Sequence, residues 1–134
     1  MTTTATRVAG RANPGFERTH YRLDAWIVSR ELVKRTYVLT QSFPKIELFG
    51  LTAQMRKAAI SIPSNIAEGA ARTGEREFAH FLSIARGSLS ELETQLLIAS
   101  DLAYIRADDS IFELVDRVSR LLTGLHRSLK PREA

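Results

Sequence analysis

Residues 43–77 read FPKIELFGLTAQMRKAAISIPSNIAEGAARTGERE, and this stretch decides the fold of the chain. Apolar or small residues recur along it at alternating steps of three and four: Leu48, Leu51, Met55, Ala58, Ile62, Ile66 and Gly69. That spacing places them on one face of an α-helix, and such a face has to pack against other elements. We therefore predict a long helix from Pro44 or Lys45 to about Ala71, because proline is well tolerated in a first turn.

A polar stripe lies a quarter turn from this apolar face and consists of Gln54, Ser61, Asn65, Glu68 and Arg72. Pro63 interrupts the same segment, and a proline inside a helix removes one backbone hydrogen bond and clashes with the preceding turn. The sequence therefore predicts that the helix kinks or restarts at Pro63. We expect Asn65, Glu68 and Arg72 to hold this helix against its neighbours and to satisfy polar groups near the proline.

A first helix is predicted from Tyr21 to about Ser42, ended by Phe43 and Pro44. One apolar face carries Leu23, Trp26, Val33 and Tyr37, and the other side carries Val28, Leu32 and Leu39. Arg30 falls within the first face, where a buried guanidinium would need a carboxylate partner. Glu68 is the candidate partner, and the alternative is that Arg30 extends along the helix to reach solvent.

The third predicted helix has the most regular pattern, and Thr73 and Gly74 are placed to start it. Its seam alternates steps of four and three through Phe78, Leu82, Ala85, Leu89, Leu92, Leu96, Ala99 and Ala103. Outside the seam lie four further apolar residues, Phe81, Ile84, Ile98 and Leu102. One intramolecular groove does not need so much apolar surface, so the sequence predicts self-association.

A fourth helix follows the short loop 106–109, and either Asp109 or Ser110 is predicted to cap it, with Glu113 completing a capping box with Ser110. Its broad apolar face is formed by Ile111, Leu114, Val115, Val118, Leu121, Leu122, Leu125 and Leu129, and Pro131 is predicted to stop it. Four amphipathic helices without strand signals predict an all-α fold. We expect an up-down-up-down four-helix bundle over residues 20–131, preceded by a flexible tail over residues 1–19.

The composition limits the classes of protein to which the chain can belong. A length of 134 residues suits one domain, and 44% hydrophobic with 25% charged residues is ordinary for a globular protein. No apolar run is long enough to span a bilayer, and the N-terminus lacks the apolar core of a secretory signal. With no cysteine to indicate an oxidising compartment, we predict a cytoplasmic protein without a membrane partner.

No catalytic or metal-binding motif occurs in the sequence. His20, His80 and His126 are scattered without a second ligand at a suitable spacing, so neither a metal site nor a cofactor is predicted. Glu68 would be a candidate general acid or base if it were buried, but a structural ion pair with an arginine is the commoner explanation. We therefore predict that the protein is not an enzyme.

The charge is distributed unevenly along the chain. Residues 1–60 carry ten Lys or Arg against four acids, whereas residues 61–134 carry nine against eleven. A basic region attracts polyanions, so one interpretation is that the chain contacts RNA or DNA through backbone phosphates, with Arg22, Lys34, Arg35, Arg56 and Lys57 as the contacting residues. The alternatives are a basic face that is simply solvated, and a scaffold that binds another protein without nucleic acid.

Two segments carry a family resemblance. Residues 43–72, FPKIELFGLTAQMRKAAISIPSNIAEGAAR, and residues 77–105, EFAHFLSIARGSLSELETQLLIASDLAYI, closely resemble the 23S rRNA intervening-sequence protein family, also called the four-helix-bundle protein family. The resemblance extends over about residues 21–129, and its SIPSNIAEG and GSLSELETQL segments are more specific than any short catalytic motif. It implies a four-helix bundle that assembles into a ring-like homopentamer and has no enzymatic activity.

The resemblance also implies a bacterial protein with a role connected to nucleic acid. Members are encoded within inserts in ribosomal RNA genes or elsewhere, and relatives serve as accessory proteins of diversity-generating retroelements, where a basic pentamer is thought to contact nucleic acid and a reverse transcriptase. Three positions depart from the family's pattern: Arg30, where an apolar residue is usual, Ile46, and Gly74, where a serine usually caps the third helix. At +4 per chain, five chains would carry about +20, a charge that attracts polyanions.

Overall fold

The computed structural model describes residue 20 and residues 23–129. This part of the chain contains four α-helices and no strand, which confirms the all-α prediction. The helices are α1 (Asp24–Thr40), α2 (Leu51–Ala70), α3 (Glu75–Asp101) and α4 (Ile111–Ser128), and a short 3₁₀ helix, Lys45–Glu47, precedes α2. None of the described helices combines the length and the apolar content that crossing a membrane requires. The predicted tail, residues 1–19, lies outside the described residues.

The four helices form an antiparallel square bundle. Each helix packs against its neighbours in the chain and α4 also packs against α1, whereas among the described residues no Cα atoms of the diagonal pairs α1/α3 and α2/α4 lie within 8 Å. Arg56 in α2 reaches the carbonyl of Tyr37 near the end of α1, and Ser83 in α3 contacts His126 near the end of α4. The arrangement is therefore up-down-up-down, as predicted.

The two ends of the bundle differ in their connections. At one end, residues 41–50 join α1 to α2 and residues 102–110 join α3 to α4, and we call this the long-link end. At the other end, residues 71–74 join α2 to α3, and α1 begins and α4 ends there. We call this the short-link end.

The predicted apolar faces of α2, α3 and α4 supply most of the core. The buried apolar residues of these helices are Met55, Ala58, Ala59, Ile62, Ile66, Leu82, Ala85, Leu89, Leu92, Leu96, Ala99, Ile111, Val115, Val118 and Leu122. The prediction that α2 begins at Pro44 or Lys45 is wrong, and Leu48 is half exposed because it precedes the helix. The side chain of Glu47 accepts a hydrogen bond from the Leu51 amide at 3.2 Å, which satisfies one of the free N–H groups of the first turn.

The core face of α1 differs from the predicted one. Its buried residues are Ala25, Val28, Ser29, Leu32, Thr36 and Thr40, whereas Trp26 and Val33 are only partly buried and Tyr37 is exposed. The three hydroxyl groups can lie in the core because each donates to a carbonyl of its own helix. Thr36 Oγ1 donates to Leu32 O at 2.8 Å, Thr40 Oγ1 to Thr36 O at 2.8 Å and Ser29 Oγ to Trp26 O at 3.0 Å. Apolar spacing alone does not predict a core face that contains hydroxyl groups.

Helix α2 runs through Pro63 without restarting, so of the two predicted options the restart does not occur. Pro63 is buried in the core, where it cannot donate to the carbonyl of Ala59. Asn65 does not replace this missing donor. Its Nδ2 donates to the carbonyl of Ser61 at 2.8 Å, which already lies in a regular turn of the helix.

The starts of α3 and α4 agree with the sequence predictions in part. Gly74 is the N-cap of α3 and no side chain caps this end. At α4 the Asp109 option is confirmed, because Asp109 Oδ1 accepts a hydrogen bond from the Ile111 amide at 2.9 Å. The capping box of Ser110 with Glu113 is wrong, since Ser110 already has a helical backbone and makes no side-chain cap. The helix ends at Ser128, and Pro131 lies outside the described residues.

Helix α3 ends before Ala103, which was predicted to continue its seam. The amide of Tyr104 donates to Ala99 O at 2.8 Å and the amide of Ala103 to Ser100 O at 2.9 Å, the two bonds of a Schellman motif. This motif requires a left-handed residue after the helix, and Ala103 has φ of 63°. An alanine therefore occupies a position that usually holds glycine.

Candidate nucleic-acid and protein interaction surfaces

The structure places the five predicted phosphate-binding residues in different environments. Arg22 lies outside the described residues. Lys34 on α1 and Lys57 on α2 are exposed, and neither forms an ion pair, a hydrogen bond or a ring contact. These two side chains are therefore available to an external anion.

Arg35 fastens α1 to the start of α4. Its Nη2 donates a hydrogen bond to Ser110 Oγ at 2.7 Å and lies 3.8 Å from Asp109 Oδ1. The Ser110 hydroxyl, which was predicted to take part in the capping box, thus accepts a hydrogen bond from Arg35 instead. Arg35 is therefore already engaged within the chain.

Arg56 fastens the start of α2 to the end of α1. Its Nε donates to Thr40 Oγ1 at 2.9 Å, its Nη2 lies 3.4 Å from Tyr37 O, and its guanidinium carbon lies 4.5 Å from the centre of the Tyr37 ring. The carbonyl of Tyr37 is one of the last four in α1, so the cation caps this helix end. The interpretation of a simply solvated basic face is therefore wrong for Arg56, whereas the exposure of Lys57 is consistent with both solvation and phosphate contact.

The predicted pair of Arg30 with Glu68 is wrong. Arg30 is exposed, with its guanidinium carbon 4.8 Å from the Trp26 ring one turn earlier, so the alternative that it reaches solvent is right. Glu68 instead accepts a hydrogen bond from Arg72 at 2.6 Å, and the two side chains are 52% and 42% exposed. Arg72 also lies 4.9 Å from the Phe81 ring. Because the Glu68 carboxylate is on the surface, the premise for its general acid or base role is absent.

Asn65 is the member of the predicted network that does hold α2 against a neighbour. Its Nδ2 donates to Ser61 Oγ at 2.9 Å, and Ser61 Oγ lies 2.7 Å from Ser88 Oγ on α3. The three side chains form a continuous hydrogen-bonded chain across the α2–α3 interface. Ser88 was not predicted as a partner, and only the packing of α3 against α2 could have identified it.

The described residues contain no group of three or more His, Asp or Glu side chains that could hold a metal ion. Ser83 Oγ and His126 Nε2 lie 3.2 Å apart and connect α3 to α4 on the exterior of the bundle. The polar contacts between helices thus join neighbouring elements of the bundle and do not converge on a common cleft.

The net charge of the chain comes from its termini. Residues 23–129 carry thirteen Lys and Arg and thirteen Asp and Glu, so the formal charge of +4 is contributed by residues 1–22 and 130–134. Both of these segments join the bundle at the short-link end, where α1 begins and α4 ends. Within the bundle, electrostatic attraction therefore depends on how the charges are grouped and not on their sum.

Three arginines on α4 were missed among the candidate cations. Arg117, Arg120 and Arg127 are exposed and form no ion pair, hydrogen bond or ring contact. They recur at steps of three and seven, on the side of α4 opposite the buried Ile111, Val115, Val118 and Leu122. This spacing is visible in the sequence, but the net charge of residues 61–134 is negative and does not indicate it.

Exposed apolar side chains concentrate at the long-link end. Ile46 is 86% and Phe49 is 89% exposed in the link between α1 and α2. The other large exposed apolar residues at or near this end are Tyr37, Val38, Leu48, Leu97, Ile98 and Leu102. The connection at the short-link end, Ala71-Arg72-Thr73-Gly74, carries no large apolar residue. The apolar exposure is therefore a property of one end and not of links in general.

A polar clasp fixes the two links at the long-link end. Tyr104 Oη donates a hydrogen bond to Glu47 Oε2 at 2.9 Å, and the rings of Phe43 and Tyr104 lie 5.2 Å apart. The hydrogen bond to Glu47, together with desolvation and the nearby carboxylate charge, raises the pKa of Tyr104 above its usual value of 10.0. The exposed Ile46 and Phe49 are thus displayed by a link that is held in place.

The apolar residues predicted to lie outside the α3 seam are mostly exposed. Ile84, Ile98 and Leu102 are 40%, 42% and 50% exposed, as expected. Phe81 is partly buried instead, because it packs against Gly69 at the end of α2. Ile84 in α3, and Ile98 with Leu102 at its far end, are therefore apolar residues available to another molecule.

Comparison with known families identifies the chain. A family model described as 23S rRNA-intervening sequence protein matches residues 21–124. No match was found among curated proteins. The matched range contains α1, α2 and α3 completely and most of α4, and it includes the hydrogen-bonded chain of Ser61, Asn65 and Ser88. Since the match covers well over half of the sequence, the chain belongs to the 23S rRNA-intervening sequence protein family.

Proposed function

We propose that the protein is a non-catalytic helical bundle of the bacterial cytoplasm that assembles into a ring-like homopentamer and binds RNA or DNA through backbone phosphates. Membership of the family supports this proposal, since the resemblance implies a pentamer that contacts nucleic acid. The exposure of Ile84, Ile98 and Leu102 supports self-association, because burying such residues between subunits removes them from water.

The observation that carries the nucleic-acid proposal is the set of cations without a partner. Among the residues that the structure describes, eight exposed Lys and Arg form no ion pair, hydrogen bond or ring contact: Lys34, Lys45, Lys57, Arg76, Arg86, Arg117, Arg120 and Arg127. Cations that are not engaged in the fold can neutralise phosphates without breaking a structural contact. A ring of five chains would present each of them five times.

The test is a binding titration of a labelled structured RNA with the purified protein from low to physiological salt, with the native mass measured under the same conditions. The proposal predicts an oligomer whose affinity falls steeply with salt and differs little between RNA sequences. Absence of binding at low salt would refute the nucleic-acid proposal. A native mass equal to that of one chain would refute the ring-like pentamer.

A second candidate function is a scaffold that binds another protein without nucleic acid, and the display of Ile46 and Phe49 favours it. Large apolar side chains on a fixed link lose water when a partner covers them, and such clusters mark protein-binding surfaces. This candidate predicts that a co-purifying protein stays bound after nuclease treatment. Replacing Ile46 and Phe49 by serine should release that protein, whereas serine at the exposed Ile27 on α1 should not.

A further inference from the structure

The outer face of α4 carries a row of free cations. Arg117, Arg120 and Arg127 lie at successive steps of three and seven residues, so that they share one side of the helix. All three are exposed, and none has an ion pair, a hydrogen bond or a ring contact. We call this set the α4 arginine row. Among the described helices, only α4 carries three unengaged cations.

Stabilisation of the helix itself does not account for the whole row. The partial negative charge at a helix C-terminus acts over the last turn, which contains Arg127 but neither Arg117 nor Arg120. Glu113 and Asp116 stand one turn before Arg117 and Arg120, yet no ion pair within 4.0 Å joins them. The two acids occupy the N-terminal part of α4, and the arginines extend beyond them to its end.

The dimensions of the row suit a sugar-phosphate backbone. Ten residues of α-helix separate Arg117 from Arg127, which corresponds to about 15 Å, and one strand of a duplex places roughly four phosphates over that length. Guanidinium groups bind phosphate oxygens through paired N–H donors. Gly124 lies on the same side between Arg120 and Arg127, and no atom lies within 4 Å of the position of its missing Cβ. No side chain therefore projects from the helix at this point between the arginines.

We propose that the α4 arginine row is the phosphate-binding surface of this protein and that the nucleic-acid backbone lies along the outer face of α4. This inference rests on the proposed nucleic-acid function. It moves the contact away from α1 and the start of α2, where Arg35 and Arg56 are engaged in the fold.

The experiment compares two variants that each lose three positive charges. In the test variant Arg117, Arg120 and Arg127 are replaced by glutamine, which keeps a long side chain and good helix propensity. In the matched control Lys45, Arg76 and Arg86, which belong to the wider set of exposed and unengaged cations but lie outside α4, are replaced by glutamine. The control therefore tests whether that wider set contributes to binding as much as the α4 arginine row does. Binding of a fluorescein-labelled RNA hairpin is measured against salt concentration, with circular dichroism and native mass as checks of folding and assembly.

The test variant is expected to bind at least about tenfold more weakly at low salt, and the slope of log affinity against log salt should fall by about 2 or more, since each phosphate contact contributes roughly 0.7–0.9. The control should change the slope by less than about 1. Equal effects of the two variants would overturn the inference, because only total charge would then matter. Unchanged binding by the test variant would overturn it while leaving the proposed function standing, whereas no binding by the parent protein would remove both.

Discussion

At the scale of single residues, the polar side chains after Pro63 contribute unequally to the stability of the fold. Asn65 is partly buried and bonds to Ser61, which contacts Ser88 on the neighbouring helix. Glu68 and Arg72 form an exposed pair within one helix. Water screens and replaces such a surface pair, whereas it does not readily reach the bonds made by Asn65.

The replacement Asn65→Ala is expected to lower the free energy of unfolding by about 1–2 kcal/mol, since two hydrogen bonds are lost at a helix interface. Glu68→Ala should lower it by less than about 0.5 kcal/mol. Urea denaturation of both variants measures the two values. A loss of about 3 kcal/mol or more for Glu68→Ala would contradict the structure, because that size is typical of a buried pair.

The phenol of Tyr104 gives a prediction about alkaline pH. Its pKa is raised in the folded protein by the hydrogen bond to Glu47, so this contact stabilises the fold below the ordinary pKa of 10.0 and the contribution is lost as the pH rises through the folded value. Glu47→Gln removes the carboxylate charge and should move the tyrosinate absorbance of Tyr104 to lower pH. Subtraction of the Tyr104→Phe titration separates this signal from Tyr21 and Tyr37. An unchanged midpoint would show that Glu47 does not hold the phenol proton in solution.

Ala103 gives a prediction about backbone conformation. A left-handed backbone costs an alanine about 1–2 kcal/mol, part of which glycine avoids at the expense of chain entropy. With φ of 63° at this position, Ala103→Gly should stabilise the protein by about 0.5–1 kcal/mol in thermal or urea unfolding. The control is Ala53→Gly in the exposed helical part of α2, which should destabilise by about 1 kcal/mol. Destabilisation by both changes would be inconsistent with the left-handed conformation.

At the scale of elements, helix α3 could be predicted from its sequence and the core face of α1 could not. The apolar residues from Leu82 to Ala99 follow a regular spacing, and these residues are buried in the structure. On α1, apolar residues lie on both sides, and the buried side includes Ser29, Thr36 and Thr40. Their hydroxyls donate hydrogen bonds to carbonyls of the same helix, so burying them costs little free energy. Because these residues are polar, the apolar spacing of the sequence does not predict that they are buried.

The candidate site shows the same division. The exposure of Lys34 and Lys57 followed from their positions on the helices, because each stands opposite a core face. The engagement of Arg35 and Arg56 depends on which helix ends meet, since Ser110 and Tyr37 are far from them in the sequence or on another element. Spacing within one helix predicts which residues face outward, and only the tertiary arrangement determines which cations remain free.

Two glycines give a matched prediction about how elements pack. A Cβ at Gly69 would lie 2.8 Å from the Phe81 Cβ and 2.9 Å from the Phe78 Cδ1, whereas a Cβ at Gly87 on α3 would meet nothing within 4 Å. Gly69→Ala should therefore destabilise by about 1–2 kcal/mol, because α2 and α3 have to move apart. Gly87→Ala should stabilise by up to about 1 kcal/mol through helix propensity. Thermal unfolding of both variants gives the two changes in stability. Changes of the same sign would contradict the close packing at Gly69.

At the scale of the whole molecule, the bundle has two chemically different ends. The short-link end joins the basic terminal segments, residues 1–22 and 130–134, to a polar connection. The long-link end displays Ile46 and Phe49. If chains assemble side by side in a ring, all of their like ends can face the same way, and the assembly would then present the exposed apolar residues of every long-link end on one rim. A nucleic acid on the outer face of α4 and a protein on that rim would then occupy different surfaces of the assembly.

The clasp between Tyr104 and Glu47 also has a kinetic consequence. It joins residues 57 positions apart, and it can close only after the α1–α2 hairpin and the α3–α4 hairpin have docked. We expect this contact to form after the folding transition state, so its loss should change the unfolding rate more than the folding rate. Stopped-flow measurements on Tyr104→Phe should show faster unfolding with nearly unchanged refolding. The same contact that displays the apolar link would then also set how long a folded chain persists.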